Sequence, residues 1–222
     1  MIITYFRSSS FNAWGMCPQQ YFLSYVLGIQ DPGGKKAEKG TIVHKVMECL
    51  AHGKKAEQDG KGHFVDDVLG SQKIDSLYDK NFVDELSRLS FDYYTSKSIH
   101  NFNNKDFNDC NAWAWKAIEY SGGAYDPRKR DIVDAEPHFD ITIDEPWAEY
   151  DYVMPDGQRI HGNLAIKGTV DLITDAGDGV YEATDWKTGM RKDWATGEIK
   201  SFWKLCADPQ LRIYHYALRH LY

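Results

Sequence analysis

The strongest constraint on the fold is a pair of alternating stretches in the C-terminal half, residues 163–174 (NLAIKGTVDLIT) and 179–189 (GVYEATDWKTG). In both stretches β-branched and other apolar residues alternate with polar ones, and the turn-rich DAGDG joins them. This pattern is typical of antiparallel strands that bury one face. Residues 131–143 (DIVDAEPHFDITI) have the same character, so we predict three antiparallel strands in this part of the chain.

Helical periodicity dominates upstream of these strands. Residues 8–27 predict a helical hairpin, and residues 40–53 predict a helix whose apolar stripe ends at Gly53, the expected C-cap. Residues 54–130 begin with a polar loop and then show mainly helical periodicity, and we interpret this segment as a helical insertion.

The last segment also predicts a helix. Asp208 is the expected N-cap, and Pro209 stands in the first turn, where its missing N–H has no helical partner to lose. Helices, strands and a final helix in this order predict an α/β (α+β) fold with a mixed central β-sheet flanked by helices. The length of 222 residues fits a single domain over residues 1–222.

Charged residues cluster near the end of the predicted hairpin. Asp171 belongs to its first strand, and Asp185 and Lys187 belong to its second. Because side chains alternate between the two faces of a strand, Asp185 and Lys187 lie on the same face. Two carboxylates that converge on a strand pair can bind a hard divalent cation such as Mg²⁺ or Mn²⁺. A lysine beside that cation can orient or deprotonate a water and stabilise charge on a phosphate. The short DxK pattern is also common on ordinary exposed hairpins, so other residues have to support this interpretation.

Four further side chains are candidates for the same site. His44 lies beside the apolar stripe of its helix and could bind a metal, although a single histidine is more often structural. Gln210 and Tyr214 share one face of the last helix, where an amide and a phenol could position a phosphate or the lysine. Glu136 could add a carboxylate or could be a solvated residue of an edge strand.

In their order along the chain, these motifs resemble those of the PD-(D/E)XK nuclease superfamily, and within it the branch of the RecB and AddB nuclease domains and the CRISPR-adaptation exonucleases. The motifs that carry the resemblance are GTIVH (40–44), AE (135–136), GTVD (168–171), DWKTG (185–189) and QLRIY (210–214). The N-terminal SSFNAWGMCPQQYFLSYV is similar to the entry helices of that branch, and residues 54–130 are unmatched. The resemblance implies a restriction-endonuclease-like core with residues 54–130 as an insertion.

The resemblance also implies roles for individual residues and a cofactor, Mg²⁺ or Mn²⁺. The positions that match metal ligands are His44, Asp171, Asp185, the backbone carbonyl of Trp186 and, as a further acidic position, Glu136. The positions that match the catalytic group are Asp171, Asp185, the catalytic lysine Lys187, and Gln210 and Tyr214, which would organise the active site and the DNA strand.

Some members of this branch hold a [4Fe–4S] cluster, with one cysteine in the CP segment and three after the QxxxY motif. Cys17 fits the first place, but no cysteine follows Cys206, so the four thiolates of that arrangement are not present. We therefore expect no iron–sulfur cluster, and we interpret Cys49, Cys110 and Cys206 as small buried residues.

The net charge of −7 at first disfavours a nucleic-acid partner. Residues 131–156, however, contain nine acidic residues and no Lys or Arg, so the remainder carries +2, the difference between −7 and −9. Segments 35–45 and 187–204 each carry +3 and flank the predicted metal site. The residues that we expect to contact a DNA backbone are Lys39, Lys45, Arg191, Lys192, Lys200 and Lys204. The aromatic residues that could stack on bases are Trp186, Trp194, Phe202 and Trp203, although each one taken alone is more typical of a core or loop anchor.

Together these features predict a metal-dependent DNA nuclease. The preferred interpretation is an exonuclease that acts on DNA ends in recombination, repair or phage DNA processing. The alternatives are a structure-specific endonuclease, a non-catalytic DNA-binding module of a larger complex, and a metalloprotein that acts on a smaller phosphoester. The expected substrate is single-stranded or end-bearing double-stranded DNA, and the expected partner is a helicase, an annealing protein or another recombination or replication component.

The sequence also bears on the cellular location of the protein. It contains no apolar stretch long enough to span a membrane and no pattern typical of a signal peptide. We therefore expect no membrane partner and a cytoplasmic protein, in a bacterial cell or in a phage-infected host.

Overall fold

The computed structural model describes residues 4–29, 33–189 and 197–222. Its mixture of helices and strands confirms the predicted α/β class. The strands are β1 (Tyr5–Phe6), β2 (His63–Asp66), β3 (Gly70–Lys73), β4 (Asp131–Ala135), β5 (His138–Thr142), β6 (Glu149–Val153), β7 (Arg159–Asn163), β8 (Ala165–Thr169), β9 (Leu172–Asp175) and β10 (Tyr181–Thr184). The α-helices are α1 (Ser8–Met16), α2 (Pro18–Tyr21), α3 (Lys35–Gln58), α4 (Lys80–Lys97), α5 (Asn104–Gly123), α6 (Phe202–Cys206) and α7 (Pro209–Leu221). Within the described ranges no helix is both long and apolar enough to cross a membrane.

The chain divides into two compact units. Residues 1–32, 138–169 and 191–222 belong to the first unit, and residues 33–137 and 170–190 belong to the second. The described parts of both units contain helices and a three-stranded sheet.

The first unit contains a sheet in the order β1-β8-β5, in which β1 runs parallel and β5 antiparallel to β8. Strands β6 and β7 form a separate antiparallel hairpin. Helix α7 begins as predicted, because the Asp208 carboxylate accepts the N–H of Gln210 over 2.9 Å and Pro209 stands in the first turn. The predicted N-terminal hairpin consists of α1 and α2, and α2 continues as a π-helix over Phe22–Val26.

The second unit is built around α3. The apolar stripe predicted for this helix is buried and consists of Val43, Val46, Met47 and Leu50. The helix is longer than predicted and runs through Gly53, which is therefore not a C-cap. A Cβ atom at Gly53 would lie 2.8 Å from Cδ1 of Leu77 and 3.1 Å from Cε1 of Phe64. The glycine thus allows close packing against α3 instead of ending the helix.

Residues 54–130 contain two long helices, α4 and α5, which share one hydrophobic core with α3. Helix α5 has a reciprocal cap, in which Asn103 Oδ1 accepts the N–H of Asp106 and Asp106 Oδ2 accepts the N–H of Asn103. The segment also contains the β2–β3 hairpin, which the sequence did not predict. The residues of β3, Gly-Ser-Gln-Lys, show no apolar alternation, so hydrophobic periodicity could not reveal this strand.

The second unit also contains an antiparallel sheet in the order β10-β9-β4. Two of the three predicted strands are interrupted, so that residues 131–143 form β4 and β5 and residues 163–174 include β8 and β9. At the first break Glu136 has φ +51° and Pro137 has no N–H to donate, which ends the regular strand, although the Glu136 N–H still donates to the carbonyl oxygen of Asp171. Within the described residues, the strands of the predicted mixed sheet are therefore divided between two three-stranded sheets.

The cysteines differ in exposure. Cys49 and Cys110 are buried, as predicted. The prediction for Cys206 was wrong, because this residue is exposed, as is Cys17. Cys206 ends the five-residue helix α6, none of whose residues is buried.

Candidate active site

The pairing of β9 with β10 positions two carboxylates of the second unit. The ladder ends where Leu172 pairs with Thr184, and the next residues outward are Asp171 and Asp185. Both residues therefore lie just beyond the strand ends. The sequence had predicted them within the strands. A register fixed by four residue pairs keeps these two carboxylates opposite each other.

Asp171 is held by backbone and side-chain contacts. Its Oδ2 atom accepts the backbone N–H of Trp186 over 2.7 Å, and Nδ1 of His44 lies 3.6 Å from the same oxygen. Burial raises the pKa of Asp171; the neighbouring His44 opposes this shift, and the negative charge of Asp185 adds to it. Asp171, Asp185 and His44 are thus close enough to influence one another electrostatically.

The ammonium group of Lys187 contacts the other carboxylate, that of Asp185. Its Nζ atom lies 2.8 Å from Oδ1 and 2.7 Å from Oδ2 of Asp185. The Lys187 side chain is 61% exposed, whereas that of Asp185 is only 13% exposed. The lysine therefore presents a positive charge to solvent directly beside a partly buried carboxylate, where an incoming phosphate can contact it.

Glu136 lies directly after β4 and next to the same site. Its backbone N–H donates to the carbonyl oxygen of Asp171 over 3.1 Å. Burial raises the pKa of Glu136 to about 7, and the charges of Glu48 and Asp171 add to this shift while that of Lys45 opposes it. Glu136 is therefore a carboxylate whose charged form the protein disfavours and a nearby cation would stabilise.

Helix α3 approaches the DWKTG segment at Gly40. A Cβ atom at this position would lie 2.9 Å from Oγ1 of Thr188. The first glycine of the GTIVH motif thus allows the segment that carries Asp185 and Lys187 to lie against the helix that carries His44.

The donor set of His44, Asp171 and Asp185 fits a divalent metal ion. An imidazole nitrogen and carboxylate oxygens are ligands for ions such as Mg²⁺ and Mn²⁺. The upward shift that Asp185 causes in the pKa of Asp171 reflects repulsion between two carboxylates, which a bound cation would relieve.

A second group of possible ligands lies on the same helix. In the described part of the chain, the three metal-binding side chains whose ligand atoms all lie within 4.8 Å of one another are Glu48, His52 and Asp66. His44, Asp171 and Asp185 do not meet this spacing. This group was not predicted from the sequence, although His44, Glu48 and His52 recur at intervals of four residues on one helix face. Asp66 comes from the unpredicted strand β2, so no local pattern could have added it.

Gln210 and Tyr214 lie in the first unit. The Gln210 side-chain amide donates a hydrogen bond to the Tyr214 hydroxyl over 2.7 Å, so the two residues share one helix face. The Tyr214 ring is buried and makes an edge contact with Phe139, with ring centroids 6.4 Å apart. The other predicted site residues, namely His44, Glu136, Asp171, Asp185, Trp186 and Lys187, belong to the second unit.

The structure places two of the predicted DNA-contacting lysines against carboxylates. Lys39 contacts Asp106 over 2.7 Å and Asp109 over 2.8 Å. Lys45 is buried, and its ammonium group contacts Glu48 over 2.6 Å. Neither ammonium group is presented to a DNA backbone in this structure, and we leave both residues out of the proposed DNA contacts.

The remaining predicted contacts lie near the C-terminus. Lys200 lies 3.5 Å from the Asp208 carboxylate, and Lys204 follows in α6. Arg191, Lys192 and Trp194 lie outside the described residues.

The predicted base-stacking residues differ in exposure. Phe202 and Trp203 are exposed, which suits a stacking role. Trp186 is buried in the hydrophobic core of the second unit, so it is a core residue and not a stacking surface.

Comparison with known proteins agrees with the motif order. The family model of the PD-(D/E)XK nuclease superfamily matches residues 8–222, a range that contains all five motifs. Neither the curated proteins nor the solved structures gave a match.

Proposed function

The chain belongs to the PD-(D/E)XK nuclease superfamily, whose members are metal-dependent nucleases, and from this premise we propose that it is a Mg²⁺- or Mn²⁺-dependent deoxyribonuclease. The observation that carries the proposal is the arrangement at the end of the β9–β10 ladder. Asp171 and Asp185 lie opposite each other there, His44 lies beside the first, and Lys187 rests on the second.

In the proposed site, His44, Asp171 and Asp185 hold the metal ion. The backbone carbonyl of Trp186 and the carboxylate of Glu136 are further oxygen donors. When bound, the ion polarises the scissile phosphate and lowers the pKa of a water molecule.

The protein's own groups orient and stabilise the reacting atoms. The Trp186 N–H fixes the carboxylate of Asp171, so one of its oxygens is held in place. The exposed ammonium group of Lys187 orients the attacking water or neutralises the charge that develops on the phosphate. Gln210 and Tyr214, joined by their hydrogen bond, organise the active site and the DNA strand in this proposal.

We propose further that the enzyme is an exonuclease that acts on ends of single- or double-stranded DNA. The support for this is the motif resemblance to the RecB/AddB-like branch, whose members are mostly exonucleases. The setting proposed with it is recombination, repair or phage DNA processing in the cytoplasm of a bacterial or infected cell. A helicase or an annealing protein is the partner class proposed for that setting.

The test is a gel assay on end-labelled linear DNA, single- and double-stranded, with Mg²⁺, Mn²⁺ or EDTA. The wild-type chain should degrade linear DNA in either metal and leave it intact in EDTA. Asp185→Ala and Lys187→Ala should lose cleavage but keep most DNA binding, measured by fluorescence anisotropy in EDTA. Cleavage in EDTA, or by Asp185→Ala, would remove the proposed mechanism.

Two controls sharpen the assay. Lys61→Ala is a matched control for Lys187→Ala, because Lys61 is 62% exposed and also contacts a carboxylate, that of Asp59. This variant should cleave at the wild-type rate. Closed circular DNA in parallel separates the alternatives, since an endonuclease opens the circle and an exonuclease leaves it intact. A non-catalytic DNA-binding module would bind both DNA forms and cleave neither.

A further inference from the structure

The interior of the second unit contains a charged side chain that the proposed reaction does not use. Lys45 follows His44 on α3 and is only 6% exposed. Its Nζ atom lies 2.6 Å from Oε1 of Glu48, 3.3 Å from Oδ2 of Asp66 and 3.2 Å from Oδ1 of Asp67. A buried ammonium group is stable only when anionic partners replace its lost hydration, and these carboxylates do so.

The carboxylates around Lys45 are the ones that could hold a metal ion. Glu48 and Asp66, together with His52, form the group whose ligand atoms lie within 4.8 Å of one another. Both carboxylates of this group contact the Lys45 ammonium. A positive charge therefore already lies where a divalent ion would bind.

The arrangement around the ammonium group is fixed by further contacts. Oδ1 of Asp66 accepts the N–H groups of Val68 and Leu69 over 2.9 and 2.8 Å, which leaves its other oxygen for Lys45. Although burial alone lowers the pKa of Lys45, the hydrogen bond and charge of Glu48 raise it above its usual range. The ammonium group thus keeps its charge throughout the neutral pH range. Asp67 is mostly exposed, so solvent screens its charge.

This charged group is next to the proposed metal site. Glu48 follows His44 by four residues on α3, so the two side chains lie one turn apart on the same helix face. A second divalent ion on Glu48 would therefore lie close to the first ion. The number of ions that the chain binds then depends on whether the ammonium group keeps its position.

We propose that Lys45 is a built-in counter-ion that takes the place of a second metal ion, so that the chain binds one divalent ion. The proposal rests on the proposed function for the identity of that one ion's ligands, His44, Asp171 and Asp185. Independently of that function, the proposal states that the Glu48/His52/Asp66 group binds a metal ion only when the Lys45 ammonium group is removed. In hydrolysis, Lys187 and a single ion then carry the positive charge that faces the phosphate.

The experiment counts Mn²⁺ ions bound per folded chain, by isothermal titration calorimetry and by the EPR signal of free Mn²⁺. The wild type and Lys45→Arg should bind one ion. Lys45→Met, which keeps the apolar stem and removes the charge, should bind a second ion. Lys45→Met combined with Glu48→Gln should lose that second ion again. Two ions in the wild type, or one ion in folded Lys45→Met, would overturn the proposal.

Two additions keep the result interpretable. Circular dichroism in EDTA reports whether Lys45→Met folds, and Lys45→Gln, a neutral side chain that still donates hydrogen bonds, is measured beside it. The wild-type stoichiometry needs no variant, so it tests the proposal even if both substitutions unfold the chain. Asp185→Asn added to each variant identifies the other ion. If Asp185→Asn removes no ion, the proposed function fails, whereas the ion gained in Lys45→Met tests the role of Lys45 separately.

Discussion

The backbone N–H of Trp186 donates a hydrogen bond to Oδ2 of Asp171 over 2.7 Å. This bond joins the residue between Asp185 and Lys187 to the carboxylate on the facing strand. One oxygen of Asp171 is thereby fixed by the DWK segment itself, and the indole of Trp186 anchors that segment in the core. The geometry of the candidate site thus depends on a backbone contact that any residue except proline could make at position 186, and on burial that an aromatic residue provides.

Two substitutions of Asp171 should separate its structural role from its proposed role as a metal ligand. Asp171→Asn keeps an oxygen that can accept the Trp186 N–H, whereas Asp171→Ala leaves that N–H without its acceptor, at a cost of about 1–3 kcal/mol. Urea denaturation in EDTA should therefore show a clear loss of stability for Asp171→Ala only. Both variants should lose Mn²⁺ binding in calorimetry. Equal stability of the two variants would mean that the hydrogen bond contributes little.

The contact between Gly40 and Thr188 gives a second prediction. A methyl group at position 40 would lie 2.9 Å from Thr188 Oγ1, so in Gly40→Ala either the Thr188 side chain or the segment that carries Asp185 and Lys187 must shift. Because small displacements of catalytic groups are costly, the cleavage rate should fall by about tenfold or more. Thr188→Ala in the same chain should restore much of the rate, since it removes the obstructing oxygen.

Gly53→Ala is the control for this pair. Its added methyl group would meet Leu77 and Phe64, at 2.8 and 3.1 Å, in the core around α3. Overpacking there should cost about 1–3 kcal/mol of stability, while the folded protein keeps its cleavage rate. If Gly40→Ala, like Gly53→Ala, lowers only the stability and leaves the cleavage rate unchanged, the contact with Thr188 does not position the site.

The helices were the part of the fold that the sequence predicted well. The stripe from Val43 to Leu50 is buried, and the Asp208 cap of α7 is present, because both features depend on neighbours within a few residues. The break at Glu136 and Pro137 was missed because the apolar alternation continues across it, although Pro137 itself is a sequence signal for an interrupted strand. Strand β2, and Asp66 with it, was missed because its partner strand is polar.

In the candidate site, too, the motif residues could be predicted from the sequence, whereas contacts between distant parts of the chain could not. The order of the motifs indicated His44, Asp171, Asp185 and Lys187 without any structure. The charge of segment 35–45 did not show that three of its four lysines, Lys35, Lys39 and Lys45, contact carboxylates from distant parts of the chain, such as Asp66 and Asp106. Charge counted along the sequence cannot show which ammonium groups contact carboxylates after folding.

Glu136 gives the stability of the protein a defined pH dependence in EDTA. Its ordinary pKa of 4.5 is raised by burial, and further by Glu48, to about 7 in the folded chain. The folded state thus favours the protonated form, so its stability is fully present below about pH 4.5 and falls as pH rises to 7. The loss above pH 7 has an upper limit of about 3 kcal/mol, since solvent screens this partly exposed group.

Glu136→Gln should remove this dependence. Because glutamine stays neutral, the variant should be more stable than the wild type at pH 8, by about 1–3 kcal/mol, and nearly equal to it at pH 5. Urea denaturation of both proteins at the two pH values measures the difference. A constant difference between pH 5 and pH 8 would show that the effect of the substitution does not come from the ionisation of Glu136.

Binding of Mn²⁺ should stabilise the folded chain through the residues at the end of the β9–β10 ladder. At a free ion concentration one hundred times the Kd, mass action adds about 2.7 kcal/mol, and for a chain of 222 residues this raises the Tm by roughly 5–10 °C. Asp185→Asn should abolish the shift and His44→Gln should reduce it, whereas Glu48→Gln should leave most of it, because the Lys45 ammonium already occupies that carboxylate. Differential scanning calorimetry with and without Mn²⁺ gives all four values. A shift that persists in Asp185→Asn and disappears in Glu48→Gln would instead place the ion among Glu48, His52 and Asp66.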